Sequence, residues 1–430
     1  MLRYKKSAEL LSRALKSIPL GTQTFSKSKT QYPEGASPFY IMKGLGSRVW
    51  DVDENEYIDF SNGLGAVTLG YCDVDVDQAV LAQLKKGVTF SLPSPVEIEL
   101  SEKIIEMVPC AEMVRFGKNG SDATTAAIRL ARAYTKRENI IVGGYHGWHD
   151  WYIGSTTRNL GVPVSTQALT HKFTFNDIAS LKAIVEKNPN DFAAIIFEPL
   201  NVEEPKPGFL EEVRALADHY KIVLIFDEVV TGFRCANGGA QERFGVTPDL
   251  AAIGKGMANG YPISAVVGKK EIMKCAEDVF FSFTFGSETI SLVAALATVS
   301  KIQNKNVTAA LNALGNQLMQ GVKTLLIKHN IESHLSISGY GACSFLIFKD
   351  TSVYKNWELK TLFLQETLRR GILTLGVHCM SYAHNESDIN ALLMAYDEVF
   401  AQLSLANAQK NLTELLQCKP LEPLFKIRNT

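Results

Sequence analysis

From residue 138 to 270 the chain alternates between two textures. Short apolar runs (NIIVGG, FAAIIFE, KIVLIFDE, DLAAIGK, SAVVG) are separated by helical or loop stretches such as GFLEEVRALADHY. Strands alternating with helices imply a mostly parallel sheet with helices on both faces, an α/β fold. Three consecutive runs share a second feature. FAAIIF ends at Glu198, IVLIF at Asp227 and DLAAIG at Lys255, so each strand places an ionisable group at its C-terminal end. In open α/β sheets ligands bind at that end. A right-handed crossover through the helix at 208–220 sets Glu198 and Asp227 on the same edge.

An acid, a lysine flanked by Gly254 and Gly256, and an anion site together define a narrow class of ligand. The anion site is read in KNGSDATTAAIRLARAY, where Gly120 and Ser121 stand at the mouth of a helix whose first turns are small residues. Free backbone N–H groups and the helix dipole suit a phosphate there, although N-G-S-D also serves as ordinary N-cap chemistry. Pyridoxal 5'-phosphate (PLP) uses all three: a lysine for its aldehyde, an acid for its pyridine nitrogen and an anion site for its phosphate. Asp227 continues the strand directly and is the expected ring partner. Glu228, one residue on, points to the other side.

Elsewhere RVWDVDENEYIDF (48–60) reads as a β-hairpin, and SPVEIELSEKIIEMV and DATTAAIRLARAYTK as helices. After about 300 come helical VTAALNALGNQLMQGVKTLLIKHN and the short apolar runs CSFLIF and GILTLG, which suggest a smaller α+β unit. The expected division is an N-terminal segment over 1–61, a large cofactor-binding domain over 62–305, and a small C-terminal domain with an extended tail over 306–430. The segment GLGAVTLG (63–70) reads as a tight loop near the substrate entrance, not a dinucleotide fingerprint. The N-terminus reads as an amphipathic helix ended by Pro19, and no apolar run is long enough to span a bilayer. Lys+Arg 44 against Asp+Glu 45 gives no electrostatic reason to expect nucleic acid or an anionic membrane as partner. Seven scattered cysteines without a C-x-x-C read as reduced thiols of a cytoplasmic protein. His146 and His149 have metal-like spacing without a third ligand, so no metal is expected. Trp148, Trp151 and Tyr152 are either core or an aromatic wall of the site, and their closeness to Tyr145 favours the wall.

Jointly, VWDVDENEYIDF, NGSDATTAAIRLARAYT, GYHGWHD, PKPGFLEEVR, LIFDEVVTGFR, GGAQERFGVTPDL, GKGMANGYPISAVVG and FTFGSETISLVAALA resemble the class III, fold-type I PLP-dependent aminotransferases. Within that class the chain is most similar to the glutamate-1-semialdehyde 2,1-aminomutases. The resemblance implies that Lys255 bonds the cofactor and shuttles protons, with Asp227 on the pyridine nitrogen. It puts Tyr145 and Val229 on the two ring faces and Gly120 and Ser121 at the phosphate. It also implies a homodimer with shared active sites, in which Thr284 reaches the neighbouring subunit's phosphate. Glu198 would be a substrate-side or supporting group, and Arg234 a structural ion-pair member.

Departures from the pattern fall on substrate contacts. The aminomutases carry an Arg in the N-terminal segment where GTQTFSKS offers Lys27, which lacks a planar fork for a carboxylate. The loop after Glu198–Pro199 is shortened to LNVEE, and Gly376 stands roughly where the family has a Glu. The implied reaction is a ping-pong amino transfer from an amino acid, L-glutamate by analogy, to a keto or aldehyde acceptor such as a sugar of surface-glycan biosynthesis. The alternative is intramolecular transfer as in the aminomutases. A PLP-binding regulator without turnover, and a nicotinamide oxidoreductase, fit less well.

Overall fold

The structure is a computed structural model that describes residues 3–422. The C-terminal end of the expected extended tail, 423–430, lies outside the described residues. The described residues divide into two compact units: one of residues 3–65, 69–73 and 310–422, and one built chiefly of 74–309.

The second unit holds a seven-stranded sheet. Its strands are β4 (Met113–Gly117), β5 (Asn139–Gly143), β6 (Thr170–Lys172), β7 (Phe192–Phe197), β8 (Val223–Glu228), β9 (Leu250–Ile253) and β10 (Ser264–Gly268). Their order is β4-β10-β9-β8-β7-β5-β6. Neighbours from β9 to β6 are parallel, while β10 runs antiparallel to both β9 and β4. Thus β4, a strand not expected from its residues, runs in the same direction as β9.

Strand side chains alternate between faces, and here both faces are covered. Ile140, Val142, Ala194, Ile196, Val223 and Ile225 pack with Ala126, Ala127 and Leu130 of the helix Gly120–Thr135. Ile141, Ile195, Phe197, Leu224 and Phe226 pack on the opposite side with Leu210, Val213 and Ala217 of the helix Phe209–Tyr220. This is why the runs read as continuously apolar. The same alternation carries Glu198 and Asp227 to the face of the helix Gly120–Thr135, and Glu228 to the other.

The first unit contains two small sheets. The expected hairpin is β2 (Arg48–Asp51) with β3 (Glu56–Asp59), extended by β1 (Ile41–Leu45) on one side. On the other side β13 (Ile372–Leu373), from within GILTLG, pairs parallel with β3. The other sheet joins β11 (Leu335–Tyr340), β12 (Cys343–Phe348) and β14 (Val377–Cys379) in that order, all antiparallel. Within 63–70 the backbone turns tightly, with Gly63 and Leu64 both at positive φ.

Candidate active site

Strand direction decides where the site lies. Asp227 near the C-terminal end of β8, and Gly120, Tyr145, Glu198 and Lys255 just past the C-terminal ends of β4, β5, β7 and β9, lie along one sheet edge.

Asp227 is 5% exposed. One carboxylate oxygen accepts the Val229 N–H at 3.1 Å and the other lies 2.7 Å from Nδ1 of His146. An ionised carboxylate can only accept, so Nδ1 of His146 is the donor. Its Nε2 is buried with no hydrogen-bond partner, and the ring packs against both Trp151 and Tyr152, which also touch each other. Glu228 points away, as expected: it accepts the Ala240 and Gln241 amides at 2.8 and 3.0 Å and the Thr231 hydroxyl. Burial pushes its carboxyl above the usual range despite those bonds. Two adjacent acids therefore serve two faces, Asp227 the site and Glu228 the local fold.

Lys255 follows Gly254 just past β9, paired with β8 through Asp227 and Ala252. It is exposed, and its φ of +25° is a conformation that non-glycine residues adopt only under constraint. Val229 links the pieces: a Cβ added to Gly120 would lie 3.0 Å from it, and one added to Gly254 3.7 Å. Tyr145 donates its amide to Glu198 at 3.0 Å. Burial, with the charges of Asp227 and Glu198 nearby, raises its phenol pKa.

At the helix mouth, Asn119 is the N-cap, and Asp122 accepts the amides of Lys118 and Asn119. The first-turn amides of Gly120 and Ser121 have no intrahelical acceptor by helix geometry. Ser121 Oγ accepts the Trp148 N–H at 3.3 Å. Gly147, at φ +101°, lies against that serine so closely that a Cβ would fall 2.2 Å from its Oγ. A helix N-terminus lined by glycines, a buried acid on the same face and a lysine just past the next strand fit the phosphate, ring nitrogen and aldehyde of PLP.

Other expected site residues are arranged differently. Trp148 is 67% exposed, whereas Trp151 and Tyr152 are buried in the core behind Tyr145, which corrects their expected role as a site wall. Trp151 donates to Thr125 Oγ1 and Tyr152 to the Gly144 carbonyl. Arg234 is wholly buried and donates to the Val230 carbonyl and Thr68 Oγ1. Thr284 lies in an exposed turn, and Lys27 is exposed at the end of a short helical turn, Phe25–Lys27, in the first unit. Sequence reasoning missed three groups. His146, weighed only as a metal ligand, supports Asp227. Asn201, from the shortened loop, donates to Glu198 at 2.5 Å. Lys118 pairs with Glu288 at 2.9 Å, tying the helix mouth to the segment after Thr284.

This sheet and site define a PLP-dependent transferase of fold type I. Comparison with known proteins narrows the class: the profile of the class III aminotransferases matches residues 31–385, and the chain belongs to that family. It is 38% identical over 414 residues to a 3-aminobutyryl-CoA aminotransferase of Cloacimonas acidaminovorans (strain Evry), covering 94% of this chain and 98% of the relative. It is 34% identical to a glutamate-1-semialdehyde 2,1-aminomutase of Methanococcoides burtonii, covering 92% and 99%. Among solved structures, the PLP internal aldimine form of the Sphingopyxis sp. MTA144 FumI protein superposes with a TM-score of 0.88 at 29% identity, covering 97% and 99%.

Proposed function

We propose that this enzyme transfers an amino group from L-glutamate to a separate keto or aldehyde acceptor, a sugar carbonyl, in a ping-pong cycle. The observation that carries the amino-transfer reading is the Asp227–His146 pair beside the glycine-lined helix mouth, with Lys255 one strand away. PLP, when bound, supplies the electron sink that weakens the bond from the substrate's amine-bearing carbon to hydrogen. Asp227, oriented by His146, holds a proton at the ring nitrogen by charge attraction. Lys255 Nζ takes the substrate proton and returns it in each half-reaction. Gly120 and Ser121 would hold the phosphate, and Tyr145 and Val229 would hold the ring.

Lys27 in place of an arginine, and a short loop that spends Asn201 on Glu198, argue against a site built for glutamate semialdehyde. In this reading the enzyme works in the cytoplasm as a homodimer in which Thr284 reaches across. In the same reading the partner subunit covers the exposed side chains of Leu92 (77%) and Phe280 (81%).

The test is a visible spectrum of the purified enzyme with and without L-glutamate, followed by an acceptor panel. Bleaching of the cofactor band with stoichiometric 2-oxoglutarate release supports glutamate as donor. Efficient turnover of glutamate semialdehyde with no sugar turnover would refute the acceptor assignment. Turnover of a 3-oxoacyl-CoA instead would align the acceptor with the relative named for 3-aminobutyryl-CoA.

A further inference from the structure

Cys343 on β12 and Cys379 on β14 face each other directly across an antiparallel pair. The Met380 N–H donates to the Ala342 carbonyl at 3.0 Å. That bond joins the residues flanking the two cysteines, so theirs is a non-hydrogen-bonded pair. In such pairs facing Cα atoms lie closest, about 4.5 Å apart, and side chains lean together. A disulfide needs Cα atoms about 4.4–6.8 Å apart. The Cys379 N–H is turned outward to the Phe60 carbonyl at 2.8 Å. The two sulfur atoms are 3.5 Å apart. Side-chain rotation is enough to close that gap, with no change of strand register.

We propose that Cys343 and Cys379 form a dithiol modification site, which a two-electron thiol oxidant (a peroxide or a small disulfide) converts to a cross-strand disulfide. This inference is independent of the amino-transfer reading. With a peroxide, one thiolate attacks oxygen and the O–O bond breaks, giving a sulfenic acid and water. The second thiol then attacks that sulfur, the S–S bond forms and the S–O bond breaks, releasing a second water. The thiols lose two electrons and two protons, and the peroxide takes them up. With a small disulfide, two exchanges give the same protein bond and two small thiols.

Access follows from the fold. Cys343 is 1% exposed and Cys379 5%, so neither reacts as a surface thiol. But β14 is a three-residue strand at the edge of its sheet, with β12 as its neighbour. Its outer side is held by the Cys379 N–H bond to the Phe60 carbonyl and by Asn62 Nδ2 on the Cys379 carbonyl, so local opening of those two bonds is what exposes Cys379. Closure of the bond then pins β14, and the segment that leads to His384, against β12.

The experiment uses the full-length holoenzyme, incubated with glutathione disulfide or hydrogen peroxide, then denatured in N-ethylmaleimide. The expected result is a loss of two alkylatable thiols, a mass lower by about 2 Da and one linked peptide joining 343 to 379, all reversed by dithiothreitol. The melting temperature of the oxidised form rises. Cys379→Ser and Cys343→Ser each abolish the thiol loss, whereas Cys72→Ser leaves it. Should either variant fold poorly, the wild-type peptide map decides alone. Recovery of both cysteines fully alkylated, a stable glutathione adduct on Cys379 without closure, a link to any other cysteine, or linkage only after urea treatment would each overturn the proposal.

Discussion

Replacing His146 by leucine removes the donor that faces Asp227. The bond is 2.7 Å long, lies in a buried setting and connects to a carboxylate, so it belongs to the stronger class of hydrogen bond. Hydrogen bonds to charged groups contribute about 1.5–3 kcal/mol net, which corresponds to about a 10- to 150-fold change in an equilibrium or rate. The Val229 amide remains on the other oxygen, so the carboxylate is loosened rather than stranded. His146→Leu should therefore fold, with some loss of packing against Trp151 and Tyr152. It should bind PLP more weakly and transfer amines more slowly, each by a factor in that range. The assay is titration of PLP into apoenzyme followed by absorbance, beside half-reaction rates with the amino donor. His146→Gln, which can still donate, should recover part of the loss. Wild-type PLP affinity and rate in His146→Leu would refute the idea that this histidine positions the acid.

Three further predictions address stability and assembly. Burial holds the imidazole of His378 down at about 3 and that of His384 at about 4, against an ordinary 6.5 in the unfolded chain. The unfolded state takes up protons first, so this stability is complete above pH 6.5 and falls as pH drops toward those values, by about 2 kcal/mol per histidine at pH 5. Denaturant titrations across pH 5–7 should show the slope, and His378→Gln should flatten it; an unchanged slope contradicts the assignment. The double change Leu92→Asp with Phe280→Asp should shift the particle to monomer in light scattering and lower PLP retention, and an unchanged mass would contradict a second copy covering these residues. Lys118→Met removes the ion pair to Glu288 and should cost about 1 kcal/mol. Glu288→Ala should cost about 1 kcal/mol more, because Glu288 also caps the helix Thr289–Asn304. Equal melting temperatures for the two variants would refute this.

Much of the site was legible because its residues interrupt strong patterns. A carboxylate ending a five-residue apolar run, or a lysine between glycines after another, violates the local texture and so announces itself. Alternation also separated Asp227 from Glu228 correctly. The misses have a common cause, namely contacts between residues far apart in sequence. MVRFG contains Arg115 and is only partly buried, so it lacks the apolar signal of the central strands, yet β10 recruits it as β4. The run GILTLG was legible as apolar, but not its pairing, through Ile372 and Leu373, with an edge of β3 more than 300 residues earlier. His146 looked like half of a metal site because sequence spacing cannot show Asp227 across the fold. Trp151 and Tyr152 follow Tyr145 closely, but a helical turn directs them inward.

The most direct test of the account is to reduce the holoenzyme with borohydride, digest it and locate the cofactor by mass spectrometry. The account predicts one pyridoxyl-phosphate adduct, on the peptide carrying Lys255, and none in Lys255→Ala. An adduct on another lysine, or a protein that carries no cofactor after incubation with PLP, would contradict it.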